Sequence, residues 1–380
     1  MMINNFLGQT NLKEGATFCP KAKLGTTKYG PHGLYSPSSF NLTGLSLNLR
    51  QHLATAANFS KTKDTWSSYG TVKKHLLSCQ RNLDINISFP MTNVQTLAFL
   101  AWLIRRGLKS STINSYMSAL RTIHLTKGVE CPALRPPIIA SVLEGRAHID
   151  AIRARLENTP PRLPVTPAVL KLLKVCLNKW NKDDQTILLV WSVCLICFFG
   201  GFRVHEILSK KESMYDPAFT LLSRDIKVAK LRINGKQIET LQIKIKSPKE
   251  DRIGKDHIID VYETNGKFCP VKAFKTWQNS EPPSGPNLPA FRFPSGKPIT
   301  GRKFNAILKE MLTPHIDYTK GKISSHSFRG GMATLLGMMG MSDEEIQAMG
   351  RWSSIAFEEY LKLPRTKRAQ IAKHMAKIMS

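Results

Sequence analysis

Between Thr92 and Arg106, apolar residues fall at Val94, Leu97, Ala98, Leu100, Ala101, Leu103 and Ile104, and Gly107 follows as a stop. That spacing predicts a helix with one apolar face. Ser110-Ser111-Thr112 then caps a second amphipathic helix, with Ile113, Tyr116, Met117, Leu120 and Ile123 inside. Its other face offers Ser115, Ser118, Arg121 and His124. With helices near 65–79 and 137–156, residues 47–156 read as a helical domain of four or five helices. Residues 1–46 are rich in Gly, Ser, Thr, Asn and Pro, show no period, and read as a flexible tail. Residues 157–167, ENTPPRLPVTP, carry four prolines and read as a linker.

Beyond the linker the pattern becomes mixed. Helices are expected over 166–178 and 184–200, then short strands over 227–234, 239–246 and 256–262. Asn234-Gly235 signals a hairpin between the first two strands. Helices return over 270–279, 301–312, 325–338, 342–349 and 353–361. The expected fold is mainly α with a small β-sheet, its second domain spanning 168–365. A basic helix closes the chain over 366–380, with Ile371, Met375, Ile378 and Met379 on one side. The apolar run from Ile187 to Phe199 is 13 residues long, short of the roughly 20 a membrane span requires, and reads as a buried helix. No internal repeat is visible.

Charge changes the picture more than hydrophobicity does. The 55 Lys and Arg outweigh 27 Asp and Glu, for a net charge of +28. Such an excess repels itself unless a polyanion lies against it, so double-stranded DNA or another nucleic acid is the expected partner. A membrane surface would want a basic amphipathic helix or a lipidation signal, and no membrane partner is expected. Basic pairs such as Lys73-Lys74, Arg105-Arg106 and Lys210-Lys211 are spread along the chain, which suits a clamp around a duplex. Seven cysteines with irregular spacing indicate a reducing, intracellular compartment rather than a disulfide framework. Cys194 and Cys197 lie inside the apolar run and read as core. The first residues, MMINNFLGQTNLKEG, lack a signal-peptide pattern.

Chemistry on phosphodiesters takes two broad forms. Metal-dependent nucleases need clustered carboxylates, and the chain shows no closely spaced acidic set, so neither metal nor cofactor is expected. The metal-free route needs a protein nucleophile and several cations around the phosphate. Arginine serves best, because its planar fork bonds two oxygens and keeps its charge. Arg203 lies in Gly200-Gly201-Phe202-Arg203-Val204-His205-Glu206, where Glu206 is placed to orient it. Lys246 lies where a strand runs into a turn. Ser325-His326-Ser327-Phe328-Arg329 sets His326 and Arg329 one helical turn apart. Gly350-Arg351-Trp352 is followed eight residues later by Tyr360.

This set, Arg203, Lys246, His326-x-x-Arg329, Trp352 and Tyr360, resembles the active site of the tyrosine recombinases, or phage-type integrases, over residues 60–365. The stretch Ser111-Thr112-Ile113-Asn114-Ser115-Tyr116 is similar to that family's core-binding domain, and Ser115, Arg121, Arg105 and Arg106 are the candidate DNA contacts. The resemblance implies that Tyr360 attacks the scissile phosphate to form a 3′-phosphotyrosine and release a 5′-hydroxyl. Arg203 and Arg329 would hold the nonbridging oxygens, Lys246 would protonate the leaving oxygen, and His326 would assist proton transfer at the tyrosine. It also implies a homotetramer assembled from dimers, with the C-terminal helix exchanged between subunits. Tryptophan at 352, where many bacterial members carry histidine, looks more like eukaryotic mobile-element recombinases of the Crypton or DIRS type, which would place the protein in a nucleus.

Plainer readings stand beside these. Lys246 competes with Lys244 and Lys249. Strand alternation sets Ile243 and Ile245 on one face and Lys244 and Lys246 on the other, and Lys246 sits nearest the turn. His205 and His257 read as structural or solvent-facing. The rival functions are a catalytically inactive DNA-binding relative, a type IB topoisomerase and a nonspecific basic scaffold for RNA or chromatin.

Overall fold

The computed structural model describes residues 33–40, 44–130, 137–158, 160–213, 215–217, 219–233, 235–246, 257–264, 266–281 and 285–352. The chain divides into two compact units between Ala151 and Ile152.

The first unit holds α1 (Leu47–Asn58), α2 (Lys63–Leu83), α3 (Asn93–Arg105), α4 (Ser110–Leu125) and most of α5 (Pro137–Leu156). Its core is built from Val72, Leu76, Phe99, Leu103, Ile113, Leu120 and Ile123. Four details differ from the pattern-based expectation. Val94 is 76% exposed, because the buried side of α3 is centred on Phe99, Leu100, Trp102 and Leu103. The N-cap of α4 is Lys109, and no side chain there caps it. Instead Asp150, on α5, accepts from the Ser110 N–H at 2.6 Å. The same carboxylate pairs with Arg146 at 3.0 Å, and Arg146 donates to the Leu108 carbonyl at 3.1 Å. An anion at a helix start is favoured by the exposed N–H groups and the helix dipole, so the cap is long-range.

His124 does not share the exposed face of Arg121. It is fully buried, and its Nδ1 bonds the Leu120 carbonyl at 2.8 Å. Its Nε2 therefore accepts from the Met91 N–H at 3.1 Å. Burial, opposed by that carbonyl, holds the imidazole below its ordinary pKa. Finally, residues 33–40 are not tail. Asn58 clasps Tyr35, accepting from its N–H and donating to its carbonyl, each at 2.9 Å. Tyr35 also meets the Trp66 ring edge-on at 5.9 Å, and Ser39 is buried against Thr126.

The second unit holds α6 (Pro167–Asn178), α7 (Asp184–Phe199), α8 (Val204–Ile207), β1 (Ile226–Ile233), β2 (Lys236–Ile245), β3 (His257–Tyr262), α9 (Pro270–Ser280), α10 (Gly301–Leu312), α11 (His326–Met338) and α12 (Asp343–Gly350). The strands form one antiparallel sheet in the order β1-β2-β3, and Ile233 pairs with Lys236 across a two-residue turn. Leu241, Ile243 and Ile245 of β2 point into the core, and Lys244 points out. α7 is apolar all round and is covered by α9 and α11, as such a helix must be. Asp183 starts it by accepting from the Thr186 N–H at 2.7 Å. Cys194 and Cys197 are fully buried within it, and burial raises both thiols. Among the described residues no group of side chains could hold a metal ion, and no helix is long and apolar enough to cross a membrane.

The proline-rich stretch is only partly a linker. From Pro161 to Val165 it lies along the segment that leads into α11. Lys322 N–H donates to the Pro161 carbonyl at 2.8 Å, Leu163 N–H to the Lys322 carbonyl at 2.9 Å, and Val165 N–H to the Ser327 carbonyl at 2.8 Å. Two glycines make room for it. A Cβ on Gly331 would stand 2.1 Å from the Val165 carbonyl oxygen, and one on Gly321 would stand 2.4 Å from the Leu163 side chain. Prolines hide a continuous pairing pattern that the receiving segment makes possible.

Candidate functional site

The site forms where α7 ends. Its C-cap is Gly200, and Gly201 then takes φ +55°, a conformation glycine enters without steric penalty. A side chain at Gly201 would also strike Met332 at 2.6 Å. This tight corner buries Phe202 and leaves Arg203 at the mouth of the four-residue helix α8.

Glu206, almost fully buried, organises two arginines. Its Oε1 accepts from Arg203 Nη1 at 3.1 Å and its Oε2 from the Arg203 backbone N–H at 2.9 Å. Oε2 also accepts from Arg351 Nη2 at 3.2 Å. Arg351 was not among the sequence-predicted site residues. It ends α12 in the left-handed region, φ 54°, and its guanidinium lies over the Phe202 ring at 4.9 Å. It reaches the Gly201 carbonyl at 3.2 Å as well. The Gly-Arg-Trp run concealed this role, because only the folded α12 brings position 351 back to the α7 corner.

Arg329 lies on the first turn of α11 and is 5% exposed. Nη1 donates to the Gly201 carbonyl at 3.0 Å, and the guanidinium carbon sits 4.4 Å from the Trp352 ring centroid. Stacking on an aromatic face offsets part of the cost of burying this charge. Trp352 packs against Ala333 and Ile346, and a Cβ on Gly350 would collide with its ring. The structure therefore brings Arg203, Glu206, Arg329 and Trp352 together around the carbonyls of Gly200 and Gly201.

His326 opens α11 on the exposed side of this cluster. Its imidazole is held below its ordinary pKa, first by partial desolvation and then by the guanidiniums of Arg162, Arg203 and Arg329. Its neutral form can accept a proton. His205 lies close enough to sense it: desolvation lowers its pKa, Glu206 raises it, and Arg203, His326 and Lys210 lower it again.

Lys246 follows a different course from its strand neighbour Lys244. Its ammonium turns inward, 2.7 Å from the buried Asp225 carboxylate, and donates to the carbonyls of Pro217 at 2.8 Å and Thr220 at 3.1 Å. Three acceptors take up its three donors. Alternation stops at Ile245, so Lys246 leaves the outer face and serves as a pin under the sheet. Lys249 and Tyr360 lie outside the described residues, as do the segments 353–361 and 366–380.

The candidate DNA contacts of the first unit are all exposed. Arg105 and Arg106 end α3, with Arg106 over the Trp102 ring at 5.5 Å. Arg121 lies on α4, whereas Ser115 Oγ donates to its own helix at Ser111 O, 3.0 Å away. A cavity of about 620 Å³ beside β3 and α9, lined by Glu239, Lys272 and Lys275, includes none of the site residues.

No family model and no curated protein matches the sequence. Solved structures do. The chain is similar to the XerH site-specific recombinase bound to palindromic difH substrate in a post-cleavage complex, with 16% identity and a TM-score of 0.52. That match covers 86% of this chain and 82% of XerH. The XerH pre-cleavage complex on difH gives 14% identity and a TM-score of 0.50, covering 86% of each chain. A lambda integrase dimer bound to a COC′ core site scores 0.44 at 14% identity, covering 80% of this chain and 73% of that one, and carries no weight here. At these identities the likeness establishes the fold alone, a helical unit followed by a mixed α/β unit.

Proposed function

We propose that the chain is a tyrosine recombinase that cuts and rejoins double-stranded DNA through a 3′-phosphotyrosine on Tyr360. The observation that carries this reading is the crowding of Arg203, Arg329 and Arg351 at the α7 corner, with Glu206 held between Arg203 and Arg351 and Arg329 on the Gly201 carbonyl. Planar guanidinium forks gathered at one corner suit the oxygens of a phosphate. In the proposed reaction the Tyr360 hydroxyl passes its proton toward neutral His326 as its oxygen attacks phosphorus. The bond from phosphorus to the 5′-oxygen breaks, and that oxygen takes up a proton. The reverse attack reseals the strand and needs no ATP, because the phosphodiester energy stays in the phosphotyrosine. Trp352 holds the plane of Arg329 and offers one N–H; it cannot relay a proton.

The neighbours' XerH complexes carry DNA before and after cleavage, which supports DNA as the ligand here. Assembly of dimers into a tetramer, exchange of residues 366–380 between subunits, a nuclear setting and a mobile-element origin extend the same reading. One observation favours a catalytically silent DNA-binding relative: Lys246 has its donors already occupied.

The test is to mix the protein with randomised nicked duplexes, denature in SDS, and look for a covalent adduct. An adduct that disappears in Tyr360→Phe establishes the nucleophile. Tight binding without an adduct leaves the silent relative.

A further inference from the structure

Arg162 stands in the proline-rich stretch ahead of α6, and its backbone belongs to the second unit. Arg162 and Lys322 form an isolated parallel bridge, flanked by the bonds at Pro161, Leu163 and Val165. Gly321 and Gly331 shape the seat. The segment is extended, so successive side chains alternate sides. Leu163 and Val165 pack into the core, which turns Arg162 outward, and it is exposed. Among the described residues it meets no carboxylate. Of the three guanidiniums acting on His326, Arg162 acts most strongly, ahead of Arg203 and Arg329. The backbone that carries this exposed guanidinium is held on both sides by pairing with the segment that leads into His326.

Resting on the reading of the site given above, we propose that Arg162 is a DNA-contacting residue of the catalytic site. It grips a backbone phosphate beside the one that is cleaved and keeps His326 flanked by positive charge. The proline-rich stretch ahead of α6 thereby becomes part of the active site.

Two readouts test this on the full chain, with Arg162→Ala and Arg162→Lys compared against the unaltered protein. The first is the salt dependence of binding to a nonspecific duplex of about 30 base pairs; loss of one phosphate contact makes the slope of log K against log salt shallower by about 0.9. The second is the titration of His326, followed by NMR on the free protein. Arg162→Ala moves it toward higher pH, because a cation that opposed protonation is gone, and Arg162→Lys restores both values most of the way. An unchanged slope together with an unmoved His326 overturns the proposal. Where the unaltered protein forms no covalent adduct, the recombinase reading fails separately, and slope and titration still decide the role of Arg162. An adduct that forms normally while Arg162→Ala leaves both readouts untouched sinks this inference and spares that reading.

Discussion

The helical unit and the α7 corner of the second unit spend their buried cations differently. In the helical unit, Arg146 is matched by Asp150 and a carbonyl, and His124 has a partner at each ring nitrogen. These groups fix helix ends and core geometry, although the buried Arg146 Nε has no hydrogen bond. At the α7 corner of the second unit, Arg329 is as deeply buried as Arg146; it donates to the carbonyls of Gly201 and Arg351 and stacks on the Trp352 ring. There Arg329 is gathered with Arg203 and Arg351, and several planar forks at one corner suit an anionic ligand, whereas Arg146 stands by itself against its own carboxylate. The difference separates architecture from chemistry more sharply than burial does.

That contrast breaks most visibly at Arg329. Arg329→Lys keeps a positive charge and loses the planar fork, and covalent adduct formation should fall by about a thousandfold, the upper end for loss of one transition-state donor. An adduct rate within a few-fold of the unaltered protein would place Arg329 with the architecture. Glu206→Gln should lower adduct formation about a hundredfold, because Arg203 and Arg351 lose their common anchor. Its melting temperature should fall as well, because two ion pairs lose their shared buried charge.

Lys246 sharpens the comparison within the second unit, since it is a cation set against its own carboxylate. Lys246→Ala strands Asp225, and unfolding free energy should drop by about 3 kcal/mol in denaturant titration. A DNA substrate with sulfur at the leaving 5′ position needs no acid. If Lys246→Ala is stable but cleaves only that substrate, Lys246 is the acid after all; Lys249→Ala provides the matched control.

His124 tests the first unit. Its folded pKa lies below the unfolded value, so the unfolded chain takes up the proton first as pH falls. Its contribution is complete above about pH 6.5, the ordinary histidine value, and is lost as pH drops through that value toward the folded one. His124→Gln should flatten this part of the stability profile, measured by urea unfolding between neutral and mildly acidic pH. The smallest effect is expected on the exposed face. Replacing Arg105 and Arg121 together by Ala should make the salt slope shallower by about 1.8, two phosphate contacts, without altering stability.

Element types and most bounds were legible because they rest on local periodicity and turn chemistry: the α7 run, the hairpin at Asn234-Gly235 and the helix opened by His326. What stayed hidden is non-local. Asp150 capping α4 from 40 residues away leaves no local signature, nor does Arg351 returning to Glu206. The inward turn of Lys246 broke the alternation used to choose it. His124 was misassigned because helical spacing tells which residues share a side but not how wide the buried side is. The Pro161–Val165 segment looked like a spacer because prolines mark breaks in regular structure, while its pairing depends on two glycines more than 150 positions away.

That seat has a consequence for anyone exchanging parts between related proteins. A graft joined at residue 168, where the helical pattern resumes, would discard the strand that fills the groove along Gly321 and Gly331. It would leave the opening turn of α11 without its neighbour. A seam placed after Leu156 and before Pro160 carries the whole module intact. The practical boundary of the second unit is therefore upstream of its first regular helix, and its smallest transplantable piece includes the prolines.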